Sequence, residues 1–82
     1  MKLKIERLPT VLARVPFSRA TIYRSINEGL FVPPVNIGAR SVGFLSHEVD
    51  ALICGMATGS DLKVLVTELV QQRASLSLME VS

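Results

Sequence analysis

Pro9, Pro16 and Gly29 restrict what the first thirty residues can form. Pro9 suits the first turn of a helix, where its missing N–H has no partner to lose. Leu8, Val11, Leu12 and Val15 recur at i, i+3, i+4 and i+7, so residues 8–15 predict a short helix with one apolar stripe. Pro16 ends it, because it cannot donate to the helical ladder and pushes Val15 out of the helical region. Ser18 is then a good N-cap. Residues 19–28 predict a second helix, and Gly29 suits the left-handed position that follows. Only Pro16, Phe17 and Ser18 separate the two helices, a spacing typical of a helix-turn-helix.

From Leu30 to Ile37 the chain is apolar and extended. Pro33-Pro34 forbids a helix there and allows only an irregular or edge strand. Gly38-Ala39-Arg40-Ser41 is a turn between Val35–Ile37 and Val42–Leu45, which predicts a small β-hairpin with a basic tip. Ser46 reads as the N-cap of a third helix, with Glu48 and Asp50 in the first turn, where carboxylates favour the positive end. Val49, Leu52, Ile53 and Met56 give that helix its apolar stripe, and Gly55 and Gly59 weaken its end. Ser60 or Asp61 caps a fourth helix over 61–74, in which Leu62, Leu65, Val66, Leu69, Val70 and Arg73 share one helical spacing. The tail from Ser75 has no periodic signal and is expected to fray.

These elements predict a mainly α fold with a small β-hairpin: a winged helix-turn-helix over residues 1–57, followed by a C-terminal helical extension over 58–82. The extension either packs on the domain or forms a symmetric helix pair that makes a homodimer. With 82 residues there is room for one domain at most. At 49% hydrophobic and 20% charged residues, the composition is that of a globular chain, not a disordered one.

The net charge of +2 hides an asymmetry. Residues 1–45 carry seven basic residues (Lys2, Lys4, Arg7, Arg14, Arg19, Arg24, Arg40) against Glu6 and Glu28. Residues 46–82 carry Lys63 and Arg73 against five acidic residues. The first half is where a polyanion would bind. Cys54 is the sole cysteine, so no intramolecular disulfide forms, which fits a reducing compartment. In MKLKIERLP, Lys4, Glu6 and Arg7 interrupt any apolar run, so no signal peptide is expected. No apolar run is long enough to span a bilayer. The expectation is a cytoplasmic protein with no membrane partner.

The second helix is the most informative stretch. On a helical wheel Ile22 and Ile26 point into a core, while Ala20, Arg24 and Asn27 point roughly opposite, flanked by Thr21 and Tyr23. Arg19 lies in the exposed first turn. An arginine can bind guanine bidentately or clamp a phosphate, and an asparagine can pair with adenine. A small residue at Ala20 lets the backbone approach a groove. The N-terminal amides at Ser18 and Arg19 suit a phosphate oxygen, and Tyr23 can donate its hydroxyl to one. An ordinary solvated helix face with two arginines is the alternative.

The segments RLP at 7–9, SRATIYRSI at 18–26, Glu28-Gly29, Pro34-Val35, Gly38-Ala39-Arg40 with Ser41, and Glu48-Val49-Asp50-Ala51 together resemble the AlpA family of prophage regulators. The resemblance covers residues 7–53. It implies a small winged helix-turn-helix akin to excisionases and MerR-type domains, with SRATIYR as the recognition helix. It implies Gly38 to Ser41 as the wing, with Arg40 reaching phosphate or the minor groove. Two departures stand out: Phe44 where the family usually has Trp, and no lysine near Pro33 or Asn36. The second removes phosphate contacts and weakens non-specific affinity.

The function expected is a sequence-specific, DNA-binding transcriptional regulator of prophage or genomic-island type, contacting DNA through Ser18, Arg19, Ala20, Thr21, Tyr23, Arg24, Asn27, Arg40 and Ser41. Its partners are double-stranded DNA and, at the protein level, an integrase or RNA polymerase. One alternative is an excisionase-like recombination directionality factor that bends DNA and recruits an integrase. Another is a protein-interaction adaptor working through the fourth helix. No enzyme is expected, because no acid–base pair or metal cluster is visible; neither catalytic residues, a metal nor a cofactor is assigned. His47 reads as a surface residue at a helix start, and Cys54 as a small, partly buried hydrophobe.

Overall fold

The first helix, α1, spans Leu8–Arg14, with Pro9 in its first turn and Leu8 and Val11 buried. Val15 leaves the helix in an extended conformation, as a residue before proline does. The second helix, α2, spans Arg19–Asn27. Ser18 caps it: the Thr21 N–H donates to Ser18 Oγ at 3.2 Å. Its far end closes on Gly29, at φ +76°. There the Leu30 N–H donates to the Ser25 carbonyl (2.8 Å) and the Gly29 N–H to that of Ile26 (3.2 Å), a Schellman closure. The computed structural model describes the backbone of residues 3–80 and the side chains of residues 3–75. Lys2 therefore lies outside the described residues.

The hairpin forms from β2 (Val35–Asn36) and β3 (Val42–Leu45), antiparallel with Val35 opposite Gly43 and Asn36 opposite Val42. The Ile37 N–H donates to the Ser41 carbonyl at 3.0 Å and closes the turn. With its amide turned to donate, Asn36 also reaches the carbonyls of Gly38 (2.7 Å) and Ser41 (3.0 Å). A strand the sequence did not announce, β1 (Ile5–Glu6), pairs antiparallel with the other side of β3, giving the order β1-β3-β2. Gly43 is required at this crossing: a Cβ on it would sit 2.4 Å from Ile5 Cγ2 and 3.1 Å from the Glu6 carbonyl.

The third helix, α3, spans Ser46–Thr58 and follows β3 with no intervening residue. This corrects the capping expectation. Leu45 occupies the N-cap position, while Ser46 is the first helical residue. The Ser46 N–H donates to the Lys4 carbonyl (2.8 Å) and its hydroxyl to Glu6 Oε2 (2.6 Å). Gly59, at φ +73°, closes α3 as Gly29 closes α2. Of the two residues proposed to cap the fourth helix, Asp61 does so, accepting from the N–H groups of Lys63 (3.1 Å) and Val64 (3.3 Å). That helix, α4, spans Leu62–Glu80, longer than the expected 61–74. It therefore continues into the stretch expected to fray, as far as Glu80, and residues 81–82 of that stretch lie outside the described residues.

Leu8, Val11, Val15, Ile22, Phe31, Val32, Phe44, Val49, Leu52, Val66 and Leu69 form one core, drawn from all four helices, the connection after α2 and β3. Phe31 and Phe44 meet edge-to-face with ring centroids 5.8 Å apart, so Phe44 fills an apolar role at the centre of the fold. Gly55 gains a packing role: a Cβ there would lie 2.7 Å from Leu65 Cδ2, so its absence lets α4 approach α3 closely. Two minor expectations fail. Cys54 is exposed, because it falls on the solvent side of α3. His47 is half-buried with Nδ1 enclosed and unpartnered among the described residues, because β3 delivers the start of α3 into the fold and not onto its surface.

Candidate nucleic-acid interface

The α2 helix is anchored from one side. Ile22 is fully buried, and Ile26 and Phe17 pack against the same core. Fixing that side fixes the other, since residues three and four apart share a helix face. Arg19, Ala20, Tyr23, Arg24 and Asn27 are exposed, with Tyr23 41% accessible despite its large ring. Among the described residues no hydrogen bond or ion pair joins the side chain of Arg19, Arg24 or Arg40 to another group. Arg40 stands exposed at the hairpin turn.

The remaining candidates are committed to the backbone's own shape. Ser18 Oγ accepts the cap hydrogen bond and lies 3.0 Å from Thr21 Oγ1, so the two hydroxyls occupy each other at the start of α2. Ser41 is half-buried, and its carbonyl closes the hairpin turn. The candidates thus fall into an exposed group on α2, one exposed arginine on the hairpin, and three residues that shape the two elements. The described residues enclose no pocket and hold no group of three metal-ligating side chains. No helix among them is long and apolar enough to cross a membrane.

Two arginines that look alike in the sequence serve the fold instead. Arg14 bridges Glu6 and Asp50, joining α1 to β1 and α3. The Asp50 hydrogen bond, with help from Glu6, raises its pKa against the opposing effect of burial, so it stays charged at any working pH. Arg73 bridges in a second place. Its Nε donates to Glu48 Oε2 (2.9 Å) and its Nη2 to Glu48 Oε1 (2.6 Å), while Nη2 also donates to the Pro33 carbonyl (2.8 Å). Glu48 is completely buried, not a solvated carboxylate at a helix start. The sequence held one clue: Arg73 continues the apolar spacing of α4, and a cation on a buried stripe requires a buried acid.

A family model described as Prophage CP4-57 regulatory protein (AlpA) matches residues 4–53. "Uncharacterized protein ORF88" of Enterobacteria phage P4 is 40% identical over 53 residues, which is 65% of this chain and 60% of that protein. The chain therefore spans less than two thirds of the length of that relative. No solved structure matches the chain. The capped α2 helix, the hairpin and the first half of α3 all lie within the matched stretch, which covers more than half of the sequence. The chain belongs to the AlpA family of prophage regulatory proteins.

Proposed function

We propose that this chain is a sequence-specific duplex-DNA-binding transcriptional regulator. In this role α2 enters the major groove and the hairpin acts as a wing. The observation that carries it is the exposed side of α2, where Arg19, Tyr23, Arg24 and Asn27 stand clear of the fold while Ile22 holds the opposite side in the core. Arg24 and Asn27 would read base edges. Arg19 and Tyr23 would hold phosphates. Ala20 allows close approach, Ser18 and Thr21 fix the helix start, and Arg40 with the Ser41 turn contacts the flanking backbone. Regulatory membership of the family supports the reading.

In the proposed regulator the 58–82 extension completes the domain. Val66 and Leu69 are buried in the shared core, with Leu62 and Leu65 packed against it, which supports packing on the domain, while Val64 and Val70 stay exposed on the same helix.

The test is selection of genomic fragments with the purified protein, followed by mobility-shift titration of the recovered site. A single footprint with specific, salt-sensitive retention supports an operator-binding regulator. Several adjacent footprints with a marked bend by circular permutation support the excisionase-like alternative, in which an integrase is the protein partner. Recovery of no fragment above background contradicts both.

A further inference from the structure

We propose that Arg73 is a positioning residue for the wing: it holds the base of the hairpin through the Pro33 carbonyl and so sets where Arg40 meets DNA. This rests on the DNA-binding role proposed above. One planar guanidinium makes three hydrogen bonds, two to Glu48 and one to the Pro33 carbonyl. A bidentate arginine–carboxylate pair fixes orientation as well as distance. Glu48 is an unusually firm anchor. It sits in the first turn of α3 beside the buried Val49 and is itself closed to water. Arg73 therefore cannot turn toward solvent without stranding a buried carboxylate.

Pro33 is the right place to hold the hairpin. It lies between Phe31-Val32, both buried in the core, and β2, which starts at Val35. The β2 strand is only two residues long, lies at the sheet edge and is paired on one side only. Neither Pro33 nor Pro34 has an N–H to donate. A carbonyl is thus the hydrogen-bonding handle this approach to the hairpin offers, and Arg73 takes it. Pro33 and Glu48 fall inside the family match at residues 4–53, whereas Arg73 comes from the helix beyond it. The C-terminal helix thereby supplies a constraint that the matched stretch lacks.

The test is a pair of double-mutant cycles on a selected duplex. They use Arg73→Lys, which keeps the charge but loses the planar fork, with Arg40→Ala and with Arg24→Ala. Arg73→Lys is expected to lower affinity by about threefold to tenfold. In that background Arg40→Ala should lose most of its effect while Arg24→Ala keeps its own. Amide hydrogen exchange in residues 35–43 should quicken, with α2 unchanged. If Arg73→Lys does not fold, Glu48→Gln carries the same test. A folded variant in which Arg40→Ala keeps its full effect and hairpin exchange stays slow overturns the positioning role. If neither Arg40→Ala nor Arg24→Ala changes affinity in the parent protein, the proposed DNA interface is at fault, and the wing role falls with it.

Discussion

Arg14 and Arg24 carry the same charge in the same basic half but meet different surroundings. Arg14 is enclosed by Glu6 and Asp50, and Glu6 also accepts from Ser46. Removing it by Arg14→Met leaves the largely buried Glu6 carboxylate short of a donor. The expected cost is about 1–3 kcal/mol of unfolding free energy, read by urea denaturation. Arg24 is exposed, so Arg24→Ala should change stability by no more than about 0.5 kcal/mol. The same substitution should weaken binding to a selected duplex by about 1–3 kcal/mol in an anisotropy titration. Gly29 offers a third contrast. A Cβ there meets nothing within 4 Å, but the residue sits at φ +76°. Gly29→Ala should therefore cost about 1–2 kcal/mol from backbone strain alone, again by urea denaturation.

Among the elements, α2 was legible because its signals are local. Ser18 caps it, Gly29 ends it, and Ile22 and Ile26 mark its inner side without reference to any other segment. The hairpin was legible for the same reason, through its turn residues. What escaped depends on distant parts of the chain. Two residues, Ile5 and Glu6, carry no periodicity, and only the free side of β3 makes them a strand. Ser46 has cap chemistry, yet β3 runs straight into α3 and leaves its hydroxyl to Glu6. Glu48 obeys the rule that places acids at helix starts, but the arrival of α4 seals it from water. The same long-range contact has a measurable consequence. Arg73→Met should cost about 3–5 kcal/mol, because it leaves the Glu48 charge buried and alone, whereas combining it with Glu48→Met should recover much of that loss. Thermal unfolding of the two variants checks the difference.

At the scale of the whole molecule, the charge asymmetry gains a structural sense. The described arginines of the basic half divide between one that braces the fold, Arg14, and four that face solvent, Arg7, Arg19, Arg24 and Arg40. The acidic second half supplies Asp50 to Arg14, pairs Glu48 with its own Arg73, and contributes α3 and α4 residues to the core that holds Ile22 of α2. In the proposed DNA-binding role such a division would separate binding from stability, and salt should reveal it. Affinity should fall steeply with ionic strength, and Arg40→Ala should reduce the slope of log K against log salt by about one. Stability should change far less over the same range, because the Arg73–Glu48 pair, with Glu48 buried, is largely shielded from solvent. The most direct measurement is amide chemical-shift mapping of the intact protein titrated with a selected duplex. If α2 and the hairpin form the DNA interface, the perturbed amides cluster at residues 18–27 and 38–41, with the exposed side of α4 silent. Perturbations confined to α4, with Arg19 to Asn27 unmoved, would contradict that interface.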